Sequence, residues 1–213
     1  MICEEREALQ HEDCILRTGR LVLRRPRASD AEGVARLAND RWIAENTAMI
    51  PHPYTLANAK DWIAGIRADD KQHFLAFAEI DGVQTLVGAG GLSEGEGGVL
   101  DLGYWLGAPF RGKGYATEIA RALVDYAFEQ IGVDRITVSC RVTNTASRRV
   151  IEKCGFQWSG CGLASSLGFK GAFPVDRFRL ERWIWESLVS WGRNRSGRRI
   201  VPQMQSQMGE ATL

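Results

Sequence analysis

Gly103-Tyr104-Trp105-Leu106-Gly107-Ala108-Pro109-Phe110-Arg111-Gly112-Lys113-Gly114-Tyr115-Ala116 decides how the chain is read. The run Val99 to Leu106 is strand-like. From Gly114 the period becomes helical: Ala116, Ile119, Ala120, Leu123 and Ala127 fall at i, i+3, i+4, i+7 and i+11, with Glu118, Arg121, Asp125 and Glu129 opposite. The junction is therefore a Gly-rich turn at a helix N-terminus. Such a turn leaves backbone N–H groups facing a concavity, and the helix adds a partial charge of roughly +0.5, so the turn suits an anion. Small residues allow a phosphate to approach the backbone, and Arg111 and Lys113 add charge. Taken alone the turn is also compatible with a plain connection whose basic side chains are solvated. Gly107 to Gly114 nearly spells the P-loop G-x-x-x-x-G-K-[ST], but Gly114 replaces the hydroxyl residue that would hold Mg²⁺. The run before it is antiparallel in pattern, which is the wrong setting for a P-loop.

Outward from this turn, the N-terminal half reads as strand, two helices and a meander. Gly19 to Pro26 is a first strand ended by proline. Ser29-Asp30 offers an N-cap for a helix carrying Val34, Leu37 and Ala38, and Thr55 caps a second with Ala59, Trp62, Ile63 and Ile66 on one face. Phe74–Ile80 and Thr85–Gly91 are strands around an Asp81-Gly82 hairpin signal. C-terminal to the central helix, Gly132 is a C′ residue and Arg135–Arg141 a β-branched strand. Asn144 caps a short helix that Gly155-Phe156 ends as a Schellman stop. Strands are expected near Gln157–Cys161 and over Val175–Trp185. Three hairpin-linked strands before a helical crossover imply an α/β (α+β) fold. Its sheet is expected to be mixed and mostly antiparallel, with about 6–7 strands. We expect an arm over 1–18, one domain over 19–191, and a basic, polar tail over 192–213.

Composition excludes several classes. Lys+Arg 27 against Asp+Glu 26 leaves a net charge of +1, so no global field favours nucleic acid, and the four arginines between Arg193 and Arg199 read as a solvated tail. No apolar run approaches the roughly 20 residues of a membrane span, and the acidic Met1–Glu7 lacks a signal-peptide layout. Cys3, Cys14, Cys140, Cys154 and Cys161 are odd in number, without a CxxC pair. They read as reduced thiols of a cytoplasmic protein, with no metal site.

Three motifs resemble the GNAT superfamily of N-acetyltransferases, most closely the branch that acetylates N-termini of ribosomal proteins. They are Gly103-Tyr104-Trp105-Leu106, Arg111-Gly112-Lys113-Gly114-Tyr115-Ala116-Thr117-Glu118, and Asn144-x-x-Ser147-x-x-Val150-Ile151-Glu152-Lys153-Cys154-Gly155-Phe156. The resemblance covers roughly residues 20–186. It implies a GNAT-type sheet whose fourth and fifth predicted strands splay apart. It also implies acetyl-CoA as co-substrate, its pyrophosphate on Arg111, Gly112, Lys113, Gly114, Tyr115 and Ala116. The pantetheine would lie in the gap beside Trp105, Leu106 and Asn144. The Leu106 N–H would polarise the thioester carbonyl, and Ser147 would protonate the departing sulfur. Many family members use a tyrosine a few residues further on, where this chain has Val150, Ile151 and Cys154.

Acetyl transfer needs a neutral amine, an oxyanion donor and a stabilised thiolate. Asp101, Glu79 and Glu118 are the candidate bases, with Asp101 preferred because it alternates onto the face of Gly103 and Trp105. Tyr104 and Tyr115 read as packing residues, and His52 and His73 as isolated histidines. Deprotonating a lysine at pH 7 costs about 4.6 kcal/mol, against about 1.1 kcal/mol for an α-amine, so a chain without a clear base suits an α-amine or another low-pKa amine. The expected acceptor is a protein N-terminus or a small-molecule amine, and a homodimer is left open. The alternative is a non-catalytic acyl-CoA-binding or regulatory module on the same fold.

Overall fold

The computed structural model describes residues 15–68, 72–165 and 171–193. One eight-stranded sheet runs β1 Ile15–Arg17, β2 Leu21–Arg24, β3 Gln72–Ile80, β4 Val83–Glu94, β5 Leu100–Leu106, β6 Arg135–Arg141, β8 Ala172–Glu181 and β7 Gln157–Ser165, in that spatial order. All neighbours are antiparallel except β5 and β6. Among the described residues six α-helices cover it: α1 Ala31–Ala38, α2 Arg41–Asn46, α3 Leu56–Ala68, α4 Tyr115–Tyr126, α5 Thr145–Lys153 and α6 Arg182–Arg193. On one face α1 and α3 enclose Val34, Ala59, Ile63, Leu75 and Ala89. On the other, the larger core joins Leu23, Phe74, Leu102, Ile119, Leu123, Phe128, Ile151 and Phe178.

Local chemistry explains most boundaries. Asp81 and Gly82 both take positive φ, 52° and 76°, so Ile80 and Val83 pair across a two-residue turn. Thr55 and Asn58 exchange capping bonds at the start of α3, with Asn58 N donating to Thr55 Oγ1 and Thr55 N to Asn58 Oδ1. Gly132 ends the π-helical extension Ala127–Ile131 of α4 in the left-handed region. At the end of α5, Phe156 N donates to Ile151 O and Gly155 N to Glu152 O, the two bonds of a Schellman motif. Gly90 lets α4 lie directly on β4: a Cβ there would stand 2.7 Å from Ile119 and 2.8 Å from Leu123.

The structure departs from the sequence reading in four places. The sheet has eight strands rather than 6–7, because Ile15–Arg17, within the expected arm, pairs with β2. Asp30 does not cap α1 with its side chain. Its carboxylate instead takes both Arg24 Nη atoms at 2.7 and 2.8 Å and the Arg27 N–H at 2.7 Å. Helix α2 is an addition, started by Asp40, whose Oδ1 accepts from Trp42 N at 2.7 Å. The expected strand Val175–Trp185 stops at Glu181, and α6 follows. There Trp185 stacks on Phe128 at 5.1 Å and donates to Asp125 Oδ1, so the apolar residues that mimic a strand belong to a docked helix. The expected tail begins inside α6, and residues 194–213 lie outside the described residues, as do Cys3 and Cys14.

Candidate active site

The fourth and fifth predicted strands part, as the resemblance implies. β5 and β6 pair in parallel only at Leu100 with Ile136 and Asp101 with Thr137, although both strands run on for several residues. Beyond that vertex they diverge. Gly107 N donates to Val87 O at 3.0 Å, so by strand alternation Trp105 and Gly103 also point their backbone groups at β4, while Leu106 and Tyr104 point theirs into the gap. The Leu106 carbonyl agrees: it accepts from Arg111 Nε instead of from β4. The gap thus offers a row of backbone groups to an extended guest.

The Gly-rich turn stands at the mouth of this gap. After a 3₁₀ turn over Ala108–Phe110, Gly112 and Gly114 both adopt positive φ, 76° and 84°. The helix starts at once, with Glu118 N donating to Gly114 O. The N–H groups of Tyr115, Ala116 and Thr117 therefore have no carbonyl one turn earlier within the helix. Gly112, Lys113 and Gly114 are exposed, so this donor row is open to solvent. Geometry and charge fit a pyrophosphate.

The turn is braced from behind by a residue the sequence reading passed over. Arg20 Nη1 holds the Lys113 carbonyl at 2.9 Å, its Nε meets Glu118 Oε2 at 2.9 Å, and its guanidinium covers the Tyr115 ring at 4.8 Å. Glu118 Oε1 also accepts from Arg20 N at 2.7 Å and from Thr18 Oγ1. These bonds hold the Glu118 carboxyl below its usual range against the opposing effect of burial. Glu118, a candidate base in the sequence, is tied into this bracing. No local signal links Arg20 to a helix nearly a hundred residues away.

Arg111 does not extend over the turn. Its Nη2 pairs with Asp40 Oδ2 at 2.5 Å and its guanidinium lies 4.2 Å from the Trp42 ring centre. It docks α2 beside the turn and leaves Lys113 as the exposed cation. Trp105 turns to the α1/α3 face.

On the far side of the gap, Asn144 is 8% exposed and its Oδ1 accepts from Ser147 N at 3.0 Å, the N-cap of α5. Ser147 Oγ lies 2.9 Å from the Tyr104 hydroxyl. Cys140 is buried on β6, and burial pushes its thiol up; burial also pushes Cys154 up to about 11. Asp101 sits at the vertex, accepting from Thr137 Oγ1 at 2.9 Å, and its carboxyl is raised by burial, opposed by Thr137 and Arg177. It is not brought beside Ser147: Tyr104 meets Ser147 from the opposite face of β5. The position beside Asp101 on its own face is clear, since a Cβ on Gly103 would meet nothing within 4 Å. Glu79 lies on β3, two strands from β5 and away from the gap. His52 is exposed, and His73 lies edge-on to Trp62.

A cavity of about 340 Å³ opens beside Asn144, lined by Trp42, Glu45 and Asn46 of α2, by Arg141, and by Thr143 to Ala146. Arg141 Nη1 bonds the Glu45 carbonyl at 2.6 Å, so α2 forms one wall. Among the described residues no cluster of His, Cys, Asp and Glu could hold a metal, and no helix is long and apolar enough to cross a membrane.

A mixed sheet with one parallel, splayed strand pair and an open helix N-terminus at its mouth makes a slot for an extended guest that carries a phosphate. The model of the acetyltransferase (GNAT) domain matches residues 20–157, well over half of the chain, and the protein belongs to this family. Acetyl-CoA is the family's co-substrate, and the turn and gap fit it. The probable N-acetyltransferase YjcK of Bacillus subtilis is 36% identical over 98 residues, 45% of this chain and 53% of that protein. The chain thus spans about half the length of that curated relative. Two solved structures share the fold. One is RimL, a ribosomal L7/L12 alpha-N-protein acetyltransferase in complex with coenzyme A (TM-score 0.66, 19% identity, 78% of this chain and 97% of that one). The other is spermidine N-acetyltransferase from Vibrio cholerae in complex with CoA and spermine (TM-score 0.67, 18% identity, 79% and 99%).

Proposed function

We propose that the protein transfers the acetyl group of acetyl-CoA directly to a primary amine, with a protein N-terminal α-amine favoured as acceptor. The observation that carries this is the parting of β5 from β6 after Asp101–Thr137, with the unpaired N–H groups of Tyr115–Thr117 at its mouth. In this reading Gly112 to Ala116 form the cradle for the pyrophosphate, with Arg111 docking α2 beside it. Leu106 and Asn144 flank the pantetheine, with Trp105 anchoring β5 from the α1/α3 face, and the Leu106 N–H meets the developing oxyanion. Ser147 donates to the departing sulfur. Asp101, with its carboxyl raised by burial, takes the amine proton from its open face above Gly103. Direct transfer is favoured because burial keeps the thiols beside Ser147 and Tyr104, those of Cys140 and Cys154, protonated and unsuited to forming an acyl-enzyme.

The charge of the cavity supports an α-amine over a polyamine. Its lining carries one carboxylate, Glu45, which pairs with Arg41, and one cation, Arg141. A polycation would need several free carboxylates there. A peptide N-terminus brings one amine and a chain of backbone groups, which the Asn46, Thr143 and Asn144 side chains suit.

Coenzyme A thiol release with N-terminal peptides, spermidine and aminoglycosides tests the reading. Peptides are expected to turn over best, and Ser147→Ala to keep acetyl-CoA binding while losing most turnover. Binding of acetyl-CoA without thiol release on any amine would identify a non-catalytic module. Preference for spermidine or for lysine side chains would overturn the acceptor.

A further inference from the structure

The Ser147 hydroxyl is held by a group on the opposite wall of the gap. Tyr104 projects from β5, packs against the larger core, and places its hydroxyl 2.9 Å from Ser147 Oγ, 43 residues away in sequence. The Ser147 carbonyl is a longer alternative acceptor at 3.3 Å. The Ser147 backbone is fixed by its N–H bond to Asn144 Oδ1, and Cys140 packs beside the side chain. We propose that Tyr104 is a positioning residue for acetyl transfer: its hydroxyl donates to Ser147 Oγ and so turns the Ser147 hydrogen toward the sulfur that leaves. This rests on the reading of Ser147 given above.

The direction of the bond follows from where each proton can go. A serine hydroxyl has one hydrogen and two lone pairs. If it donates to Tyr104, its hydrogen is spent inside the protein and the sulfur meets lone pairs. If it accepts from Tyr104, the hydrogen is free for the sulfur. Burial pushes the Tyr104 phenol well above its ordinary value, so it remains a donor and does not itself ionise. When the C–S bond breaks, its electron pair passes to sulfur, which takes the Ser147 hydrogen. Ser147 then regains, through solvent, the proton that the acceptor nitrogen lost on forming the amide. Tyr104 keeps its own proton throughout, and the reaction is balanced without another reactant.

Tyr104→Phe keeps the ring in the core and removes only the donor. The test compares the wild type, Tyr104→Phe, Ser147→Ala and the double variant by thiol release, with the amine panel and with water as acceptor, alongside acetyl-CoA binding and thermal melting. Tyr104→Phe is expected to lower kcat about tenfold, one well-placed hydrogen bond, with KM for acetyl-CoA within twofold of wild type. In the Ser147→Ala background it should change kcat no further, because its effect runs through Ser147. An unchanged kcat in Tyr104→Phe, or the same fractional loss with and without Ser147, overturns the proposal while leaving Ser147 in place. An unchanged kcat in Ser147→Ala removes Ser147 as proton donor and this proposal with it.

Discussion

Gly114→Ala probes the cradle most directly. Gly114 has φ 84° and caps α4 from the left-handed region. An L-residue there costs about 1–2 kcal/mol. A Cβ would also stand 3.2 Å from Arg20 Nη2, tighter than ordinary van der Waals contact, and Arg20 is held by Lys113 O and Glu118. The chain has two ways to respond. If the backbone keeps its conformation, the strain falls on stability, and a domain of this size should lose about 2–8 °C in Tm. If the turn relaxes toward negative φ, stability recovers but the N–H row turns away, and CoA affinity should fall about tenfold or more. Gly112→Ala is the control: its φ is 76°, but a Cβ there meets nothing within 4 Å, so it carries the backbone strain without the contact to Arg20. Melting curves and calorimetric titration of CoA on both variants separate the responses. If both bind CoA within twofold of wild type with Tm unchanged, the turn is not the cradle and the reasoning fails.

Two further outcomes follow from the same geometry. Glu118→Gln loses the charge that binds Thr18 and Arg20, so urea unfolding at pH 7 should show a loss of about 1.5 kcal/mol. The Glu118 carboxyl is lowered in the folded state, so its contribution is present above the unfolded pKa and disappears as pH falls through the folded value. The gap between variant and wild type should therefore close below about pH 4, and a gap that persists there would deny the carboxylate this role. Asn144→Ala should lose about 1 kcal/mol of stability as a cap, whereas Asn144→Ser should keep the cap. CoA titration of the serine variant then isolates ligand contact: unchanged affinity would confine Asn144 to capping.

Much of the site is legible in the sequence because its parts are local. The α4 start, the Asn144 cap and the Gly155-Phe156 stop depend on residues within a turn of one another, so spacing alone places them. Arg111 illustrates the limit. Its sequence position suggests a hand on the phosphate, but its partners, Asp40 and Trp42, sit on a six-residue helix too short to show a period. The same holds for α6, where Trp183-Ile184-Trp185 reads as strand until Phe128 and Asp125 are present to receive Trp185.

By itself the sequence determines the succession of elements around Arg111–Ala116, the mixed sheet and the family resemblance, since turn chemistry and hydrophobic period act over a few residues. Tertiary structure alone decides which side chains meet across the gap. The Arg20 brace behind the turn joins residues 93 and 98 positions apart. The Tyr104 hydroxyl reaches Ser147 only because β5 and β6 part by the right amount above a shared core. Such pairings depend on how far two strands diverge and how helices settle on them, which no local pattern encodes.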